Sequence, residues 1–182
     1  MRIISGKFKG QHLVSFKADH IRPTTDRVKE TVFNILQSEI TGARVLDLFS
    51  GTGNLGIESL SRDCAEVTFV EKNKKSLGIL SENLSKLKIV DGFRIVPQDV
   101  FKFAKAYVGE GFDVIFADPP FTESIADQVV QAVNDSNLFH HATILAIESG
   151  RREKILDDYS KLTRYDFREF GDKFLSLYRV KL

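Results

Sequence analysis

The fold of this chain is decided by the stretch Asp47-Leu-Phe-Ser-Gly51-Thr-Gly-Asn-Leu-Gly56. It joins a short apolar run over 44–49, which predicts a buried strand, to a helix predicted over 55–62. Glycines allow the backbone to turn tightly and to approach a bound molecule closely, and the start of the following helix offers unpaired N–H groups. The stretch therefore predicts a strand, a ligand-binding turn and a helix.

Strands and helices continue to alternate on the carboxyl side of this turn. Four further strands are predicted by apolar runs at 66–70, 93–96, 112–117 and 143–147. Two alternating runs, 162–170 and 174–180, flank Gly171-Asp172 and predict an antiparallel pair. We expect an α/β fold with a Rossmann-like, mostly parallel seven-stranded sheet and a C-terminal antiparallel hairpin.

The amino-terminal side of the turn has a different pattern. Residues 1–20 predict short extended pieces with turns at Gly6 and Gly10, as in a hairpin or an edge arm. Arg22-Pro23 disfavours helix immediately before it, because the residue preceding a proline is pushed into an extended conformation. A helix with one apolar stripe is predicted directly afterwards, and it ends at Thr41-Gly42.

Basic residues are concentrated near the amino terminus, although the whole chain has a net charge of only +1. Between Met1 and Arg22 the only acid is Asp19, whereas the basic side chains are Arg2, Lys7, Lys9, Lys17 and Arg22. A basic arm on a slightly acidic body suits contact with nucleic-acid phosphates, although a short basic terminus can also be merely solvated. We therefore expect a basic arm over 1–21 and a single α/β domain over 22–182.

Composition argues against several classes of protein. The single cysteine, Cys64, rules out an internal disulfide framework and fits a reducing cytosol. The sequence has no run of about 18 apolar residues, and its amino terminus lacks the apolar segment of a signal peptide. The four histidines have no acidic partners at metal-ligand spacing. We expect a cytoplasmic protein that has no membrane segment and no metal site.

Two classes of cofactor are compatible with the glycine turn. Gly51-x-Gly53-x-x-Gly56 matches the dinucleotide fingerprint, and Glu71 follows at the distance where a ribose-binding acid belongs. Asp47 lies at the end of the first strand, where a carboxylate suits the ammonium group of a methionine moiety better than a pyrophosphate. A nicotinamide or flavin dinucleotide and S-adenosylmethionine therefore both remain open.

Acidic residues after the next two strands extend this candidate site. Glu71 can accept hydrogen bonds from ribose hydroxyls, and Asp99 can bind an adenine amino group with Val100 as an apolar wall. Simpler roles stay open, because Asp47 can brace the loop, Glu71 can be a surface acid and Asp99 can cap a helix. The predicted cofactor-binding set is Asp47, Phe49, Gly51, Thr52, Gly53, Asn54, Glu71, Lys72, Asp99, Val100 and Asp118.

A second motif, Asp118-Pro119-Pro120-Phe121, directly follows the fourth predicted strand. Consecutive prolines fix the chain and remove two N–H donors, which leaves backbone carbonyls and the Asp118 carboxylate as acceptors. Two acceptors can orient an exocyclic amine and direct its lone pair toward a methyl donor, while a flipped base stacks on Phe121. The motif predicts methyl transfer to an amino or amide nitrogen, with these four residues as the catalytic group.

These motifs together resemble the RsmD family of class I S-adenosylmethionine-dependent methyltransferases. The resemblance covers nearly the whole chain, and its most specific part is the Arg22-Pro-Thr helix start. The segments that carry it are 2–10, 22–34, 47–58 and 118–121. The chain departs from the family pattern at Phe121, where Tyr is frequent, and at Phe8, where Trp is common. Neither difference removes a catalytic group.

The resemblance implies N2-methylation of a guanine in bacterial 16S rRNA, with S-adenosylmethionine as the methyl donor and 16S rRNA or the small ribosomal subunit as the partner. It also implies that the arm and the segment 22–27 contact RNA, so the predicted RNA-binding residues are Arg2, Lys7, Lys9, Arg22 and Arg27. The residues themselves leave open adenine-N6 methylation of DNA or RNA, glutamine-amide methylation of a protein, and a non-catalytic RNA-binding assembly factor. We expect a monomer.

Overall fold

A computed structural model describes residues 1–16 and 26–181 of the chain. The strands are β1 (Arg44–Leu48), β2 (Glu66–Val70), β3 (Phe93–Val96), β4 (Phe112–Ala117), β5 (Phe139–Gly150), β6 (Leu162–Phe170) and β7 (Lys173–Val180). The α-helices are α1 (Asp26–Ile35), α2 (Gln37–Ile40), α3 (Asn54–Ser61), α4 (Lys74–Lys86), α5 (Val100–Ala106) and α6 (Ala126–Asn134). No helix in these two ranges is long and apolar enough to cross a membrane.

The strands form one seven-stranded sheet in the order β3-β2-β1-β4-β5-β7-β6. The first five strands in this order are parallel to one another, whereas β7 runs antiparallel to both β5 and β6. The prediction of a mostly parallel sheet with a C-terminal antiparallel hairpin is confirmed. The strand order reverses at β1 and β4, and in open α/β sheets ligands bind outside the carboxyl ends of the strands at such a point.

The central strands are buried on both faces, which explains their continuous apolar runs. Neighbouring residues of β1 contribute to different sides of the sheet, Val45 to one core and Leu46 to the other. The first core also receives α1, α3 and α4, and includes the tilted ring pair Phe33 and Phe116 at 5.3 Å. The second core is filled by α5 and α6. Both faces are thus covered by helices.

The observed elements differ from the predicted ones in two places. The helix predicted to end at Thr41-Gly42 is divided into α1 and α2, because Leu36 departs from helical geometry with ψ of 16° while its side chain stays buried. The start predicted for this helix, after Arg22-Pro23, lies outside the described residues. Strand β5 is longer than the predicted 143–147, because it pairs with β4 along one side and with β7 along the other.

Residues 1–16 lie against the main sheet domain. Arg2 and His12 form an antiparallel bridge, and Ile3 N donates to Gln11 O at 2.9 Å, as the predicted glycine turns require. Gly6 has φ of +82°, and a Cβ at this position would lie 1.7 Å from Ser61 O. Residues 1–16 are the described part of the basic arm predicted over 1–21. Their backbone therefore packs directly on α3, and they are called the arm below.

Candidate active site

A cavity of about 870 Å³ opens at the carboxyl ends of the parallel strands. Its wall is formed by the glycine loop after β1, by the segments that follow β2, β3 and β4, and by parts of the arm and of the β6–β7 hairpin. The register of the sheet explains why these segments meet. Leu48 is the Cα partner of both Val70 and Ala117, so the residues that follow, Glu71 and Asp118, flank the start of the glycine loop.

The glycine loop can take its shape only with small residues at its turn. Gly53 has φ of +91°, in the left-handed region, and a Cβ there would lie 2.5 Å from Leu80 Cδ1. The loop is also anchored to the sheet, because Ser50 N donates to Val70 O at 3.1 Å. The predicted cofactor residues Phe49, Gly51, Thr52 and Asn54 all line the cavity.

Asp47 lies beneath the glycine loop and is not part of the described cavity wall. It is 2% exposed, and its Oδ2 accepts a hydrogen bond from Gly56 N at 2.9 Å. Burial raises the pKa of Asp47 to about 8, against the lowering effect of the Gly56 amide, and the charges of Asp118 and Glu71 add to the rise. Asp47 therefore braces the loop and can hold a proton at neutral pH, while its predicted contact with an ammonium group stays a prediction.

Glu71 connects the end of β2 to the glycine loop. Its Oε2 accepts from Gly51 N at 2.9 Å, and its Oε1 accepts from Asn73 N at 2.7 Å. The side chain lines the cavity and is half-buried. It is thus more than a surface acid, because it holds the loop and lines the cavity, while its predicted contact with ribose hydroxyls stays a prediction.

Asp99 caps α5 and also lines the cavity, while its predicted contact with an adenine amino group stays a prediction. Its Oδ1 caps α5 by accepting from Phe101 N at 3.0 Å, and Lys72 Nζ lies 3.2 Å from its Oδ2. Partial burial would raise the pKa of Asp99, but the hydrogen bonds from Lys72 and from the Lys102 and Phe101 amides outweigh it and lower the pKa. Asp99 also lines the cavity, as do Lys72 and Val100.

The Asp118–Phe121 motif forms the lip of the same cavity. All four residues line it, with Pro119 buried and Asp118 and Phe121 half-buried. A single 3-10 turn, Phe121–Glu123, follows and turns the chain away from the sheet. The structure thus brings the predicted acceptor, the two prolines and the aromatic ring to the wall that also holds the glycine loop.

The predicted RNA-binding residues are dispersed over the outside of the arm and α1. Arg2 pairs with Asp26 at 3.0 Å, and Lys7 lies 3.6 Å from Asp63. Lys9 is exposed, and Arg27 is also exposed, with its guanidinium 6.0 Å from the Phe170 ring. Arg22 falls outside the described residues.

Sequence reasoning missed two groups at this cavity. Lys173 lines it with its ammonium 4.4 Å from the centre of the Phe121 ring, and pairs with the buried Glu148 at 3.1 Å. Met1 and Phe16 of the arm also reach the wall. Phe16 could have been identified from the sequence, because it is an aromatic residue within a basic arm. No sequence pattern indicates the Lys173–Glu148 pair, because its residues lie on two strands that are distant in sequence.

The chain is similar to known proteins both in sequence and in fold. Residues 1–179 match the family described as "Conserved hypothetical protein 95". The chain is 35% identical to Ribosomal RNA small subunit methyltransferase D of Haemophilus influenzae, over 86% of this chain and 82% of that protein. It is also 35% identical to the protein of the same name from Escherichia coli K12, over 82% of this chain and 74% of that protein. A solved structure of a hypothetical protein from Thermus thermophilus has a TM-score of 0.81 and 26% identity, and covers 97% of this chain and 98% of that chain.

Proposed function

The chain belongs to the family described as conserved hypothetical protein 95, and we propose that it transfers the methyl group of S-adenosylmethionine to N2 of a guanine in bacterial 16S rRNA. The broader activity, methylation of small-subunit ribosomal RNA, is the one named for its relatives in Haemophilus influenzae and Escherichia coli. The observation that carries the proposal is the shared cavity, in which the Asp118–Phe121 lip meets the glycine loop.

The residues of this cavity fit S-adenosylmethionine. Among the described side chains, Ser50 Oγ is a buried hydroxyl without a hydrogen-bond partner, and Ser50 lines the cavity. An unpaired buried polar atom is costly, so a bound polar group at this position would satisfy it. Glu71 and Asp99 provide acceptors for the ribose hydroxyls and the adenine amino group. Asp47 lies beneath the loop and not on the cavity wall, and we propose that a bound methionine ammonium stabilises its charged form and pairs with the carboxylate.

The cofactor supplies an electrophilic methyl group next to the lip. When the nitrogen of an exocyclic amine gains the methyl group and S-adenosylhomocysteine leaves, the Asp118 carboxylate can take the proton that the nitrogen loses. Before that step, the Asp118 carboxylate and the Pro119 carbonyl can accept hydrogen bonds from the two N–H groups of the amine. Two such hydrogen bonds localise the nitrogen lone pair and aim it toward the methyl group. Most of the rate gain is then positional, and positioning alone reaches effective molarities of about 10⁵ M or more.

Phe121 and the arm hold the RNA. A base that leaves its stack can lie on the Phe121 ring, a contact typically worth about 1–3 kcal/mol. Lys7 and Lys9 on the arm, with Arg2 and Arg27 near the start of α1, are exposed cations suited to flanking phosphates. Sequence-specific RNA recognition usually targets loops and ends, so we expect a stem-loop tip as substrate. We further propose that the protein acts as a cytoplasmic monomer, with a basic arm over 1–21 and one catalytic domain over 22–182.

The proposal is tested by mapping labelled methyl groups on small-subunit rRNA after incubation with protein and S-adenosylmethionine. We expect one labelled nucleoside, N2-methylguanosine, and no product when that guanine is replaced by inosine, which lacks the amine. Asp118→Ala should lower the methylation rate about 10²-fold or more while the affinity for S-adenosylhomocysteine changes only a few fold.

Asp113→Ala is the matched control for the Asp118 variant. Asp113 lies near the other end of the same strand, where its carboxylate contacts Arg44 N at 2.7 Å and His140 Nε2 at 3.0 Å. This control should keep full methylation activity. Label on adenine N6 would replace the guanine assignment by the adenine one, and binding of NADH but not of S-adenosylhomocysteine would overturn the proposal as a whole.

A further inference from the structure

Asn83 of α4 is fully buried and hydrogen-bonded to two separate parts of the chain. Its Oδ1 accepts from Val14 N at 2.7 Å, and its Nδ2 donates to Val14 O at 3.0 Å, which clamps the arm on both sides of one residue. The same Nδ2 donates to Thr52 O at 3.0 Å. One side chain thus holds the arm and the glycine loop together.

Lys29 of α1 makes a second connection of the same kind. The side chain is 1% exposed, and its ammonium donates to Arg2 O at 2.6 Å and to Asn54 Oδ1 at 3.0 Å. It also pairs with Glu58 Oε2 at 3.1 Å, and Glu58 in turn accepts from the amide of Ile4 at 2.9 Å. Lys29 therefore ties the other strand of the arm to the first residue of α3.

We propose that Asn83 and Lys29 are positioning residues that make the arm a structural part of the cofactor site. Each joins an arm backbone group to a residue of the cavity wall, Thr52 in one case and Asn54 in the other. Neither the Asn83 nor the Lys29 side chain can easily leave its partners, because a buried amide or ammonium without partners is left unsatisfied at a high cost in free energy. The geometry of the glycine loop thus depends on the position of the arm.

A consequence follows for RNA binding, and it rests on the function proposed above. RNA that binds the arm more tightly in this docked position than in an undocked one favours the loop geometry in which Thr52 and Asn54 line the site, so RNA and cofactor strengthen each other's binding. The two effects must be equal, because coupling between two binding sites is reciprocal.

The test uses the full chain, S-adenosylhomocysteine as the ligand and a stem-loop transcript that the wild-type protein methylates. Calorimetry measures the affinity for S-adenosylhomocysteine with and without the transcript. Wild-type protein should bind it about fivefold or more tightly when RNA is present. Asn83→Leu should weaken the binding of S-adenosylhomocysteine without RNA by about 3- to 10-fold, as expected for lost buried hydrogen bonds. In this variant the ratio of the affinities with and without RNA should be close to one.

Asn134→Leu is the control, because Asn134 is equally buried and its side chain also ties its helix to another segment of the chain. It donates to Ser160 Oγ at 2.8 Å and accepts from Lys161 N at 2.8 Å, and it is not among the residues of the cavity wall. A comparable loss of thermal stability with unchanged affinity is expected. If Asn83→Leu fails to fold, Lys29→Met takes its place, since Glu58 keeps Arg62 as a partner at 3.0 Å. Lys29→Arg should restore most of the affinity.

The possible failures of the two proposals are distinct. A wild-type protein that does not bind S-adenosylhomocysteine contradicts the proposed function. A wild-type protein that binds it equally well with and without RNA, or a Lys29→Met variant with wild-type affinity, contradicts the positioning role alone. An equal loss of affinity in Asn134→Leu would reduce the effect to general destabilisation, which also overturns the inference.

Discussion

Replacing Asp47 by Asn should stabilise the protein by an amount that grows as the pH rises from 5 to 8. The Asp47 carboxyl is buried beneath the glycine loop, and burial raises its pKa from 3.8 to about 8, with the charges of Asp118 and Glu71 adding to the rise. In the unfolded chain this carboxyl titrates near its ordinary value. Between the two pKa values the folded protein therefore holds a proton that the unfolded chain has released.

The magnitude follows from linkage between protonation and folding. When the folded state binds more protons than the unfolded state, the free energy of unfolding falls by about 1.36 kcal/mol per pH unit. The contribution of Asp47 is fully present below pH 3.8 and lost as the pH rises to about 8. That interval of about four units corresponds to a loss of about 5 kcal/mol. Asparagine does not titrate, and its amide oxygen can still accept the Gly56 N–H, so the variant avoids this loss.

Urea unfolding of wild type and Asp47→Asn at pH 5, 6, 7 and 8 measures the difference directly. All other titrating groups are common to the two proteins, so their contributions largely cancel in the difference between the two unfolding free energies. We expect the variant's advantage to increase by several kcal/mol over this range and its affinity for S-adenosylhomocysteine to fall, because the carboxyl that would pair with the ammonium is gone. A difference in unfolding free energy that is constant within about 0.5 kcal/mol would refute the buried, proton-holding carboxyl.

Two further substitutions test the loop and the arm. Gly56→Ala should lower stability by about 1–3 kcal/mol in thermal unfolding, since its Cβ would lie 2.2 Å from Phe69 Cε1. The control Gly78→Ala lies on the exposed side of α4 with open space around its Cβ, so it should not lower stability. Equal effects of the two substitutions would contradict the packing argument. Replacing Lys7 and Lys9 by Glu should weaken RNA binding and reduce its dependence on salt, measured as the slope of log affinity against log salt; an unchanged slope would remove the arm from the phosphate contacts.

The sheet could be predicted because each central strand is a short apolar run bounded by turn residues. The run over 112–117 coincides with β4, since every residue of this strand except the half-buried Asp113 is apolar and buried, so the apolar signal marks both ends. β5 was predicted too short. Its first residues, Phe139 to Ala142, are only partly buried, so they lack the apolar signal although they extend the strand. That extension is fixed by pairing with distant segments.

The candidate site was predictable to the extent that it follows from strand ends. Glu71, Asp99 and Asp118 each come shortly after a parallel strand, and the carboxyl ends of such strands meet at one edge of the sheet. For Asp47 the sequence left open a ligand contact and a loop-bracing role, and it could not choose between them, because the bracing contact depends on the loop folding back so that Gly56 N reaches the carboxylate. The contacts of Asn83 with Val14 and Thr52 join three segments that no local pattern connects.

The strand order also resolves an ambiguity that neither motif resolves alone. A glycine turn with an acid at the end of the next strand fits a dinucleotide as well as S-adenosylmethionine, and an Asp-Pro-Pro-Phe segment by itself can be a strand that ends in prolines. The two motifs are separated in sequence by β2, β3 and the helices between them. β4 pairs directly with β1, and Ala117 lies opposite Leu48. Asp118 therefore lies beside the start of the glycine loop. A rigid set of acceptors beside a nucleoside-binding turn can orient an amine that attacks a methyl group. Hydride transfer to a dinucleotide does not require such a set of acceptors.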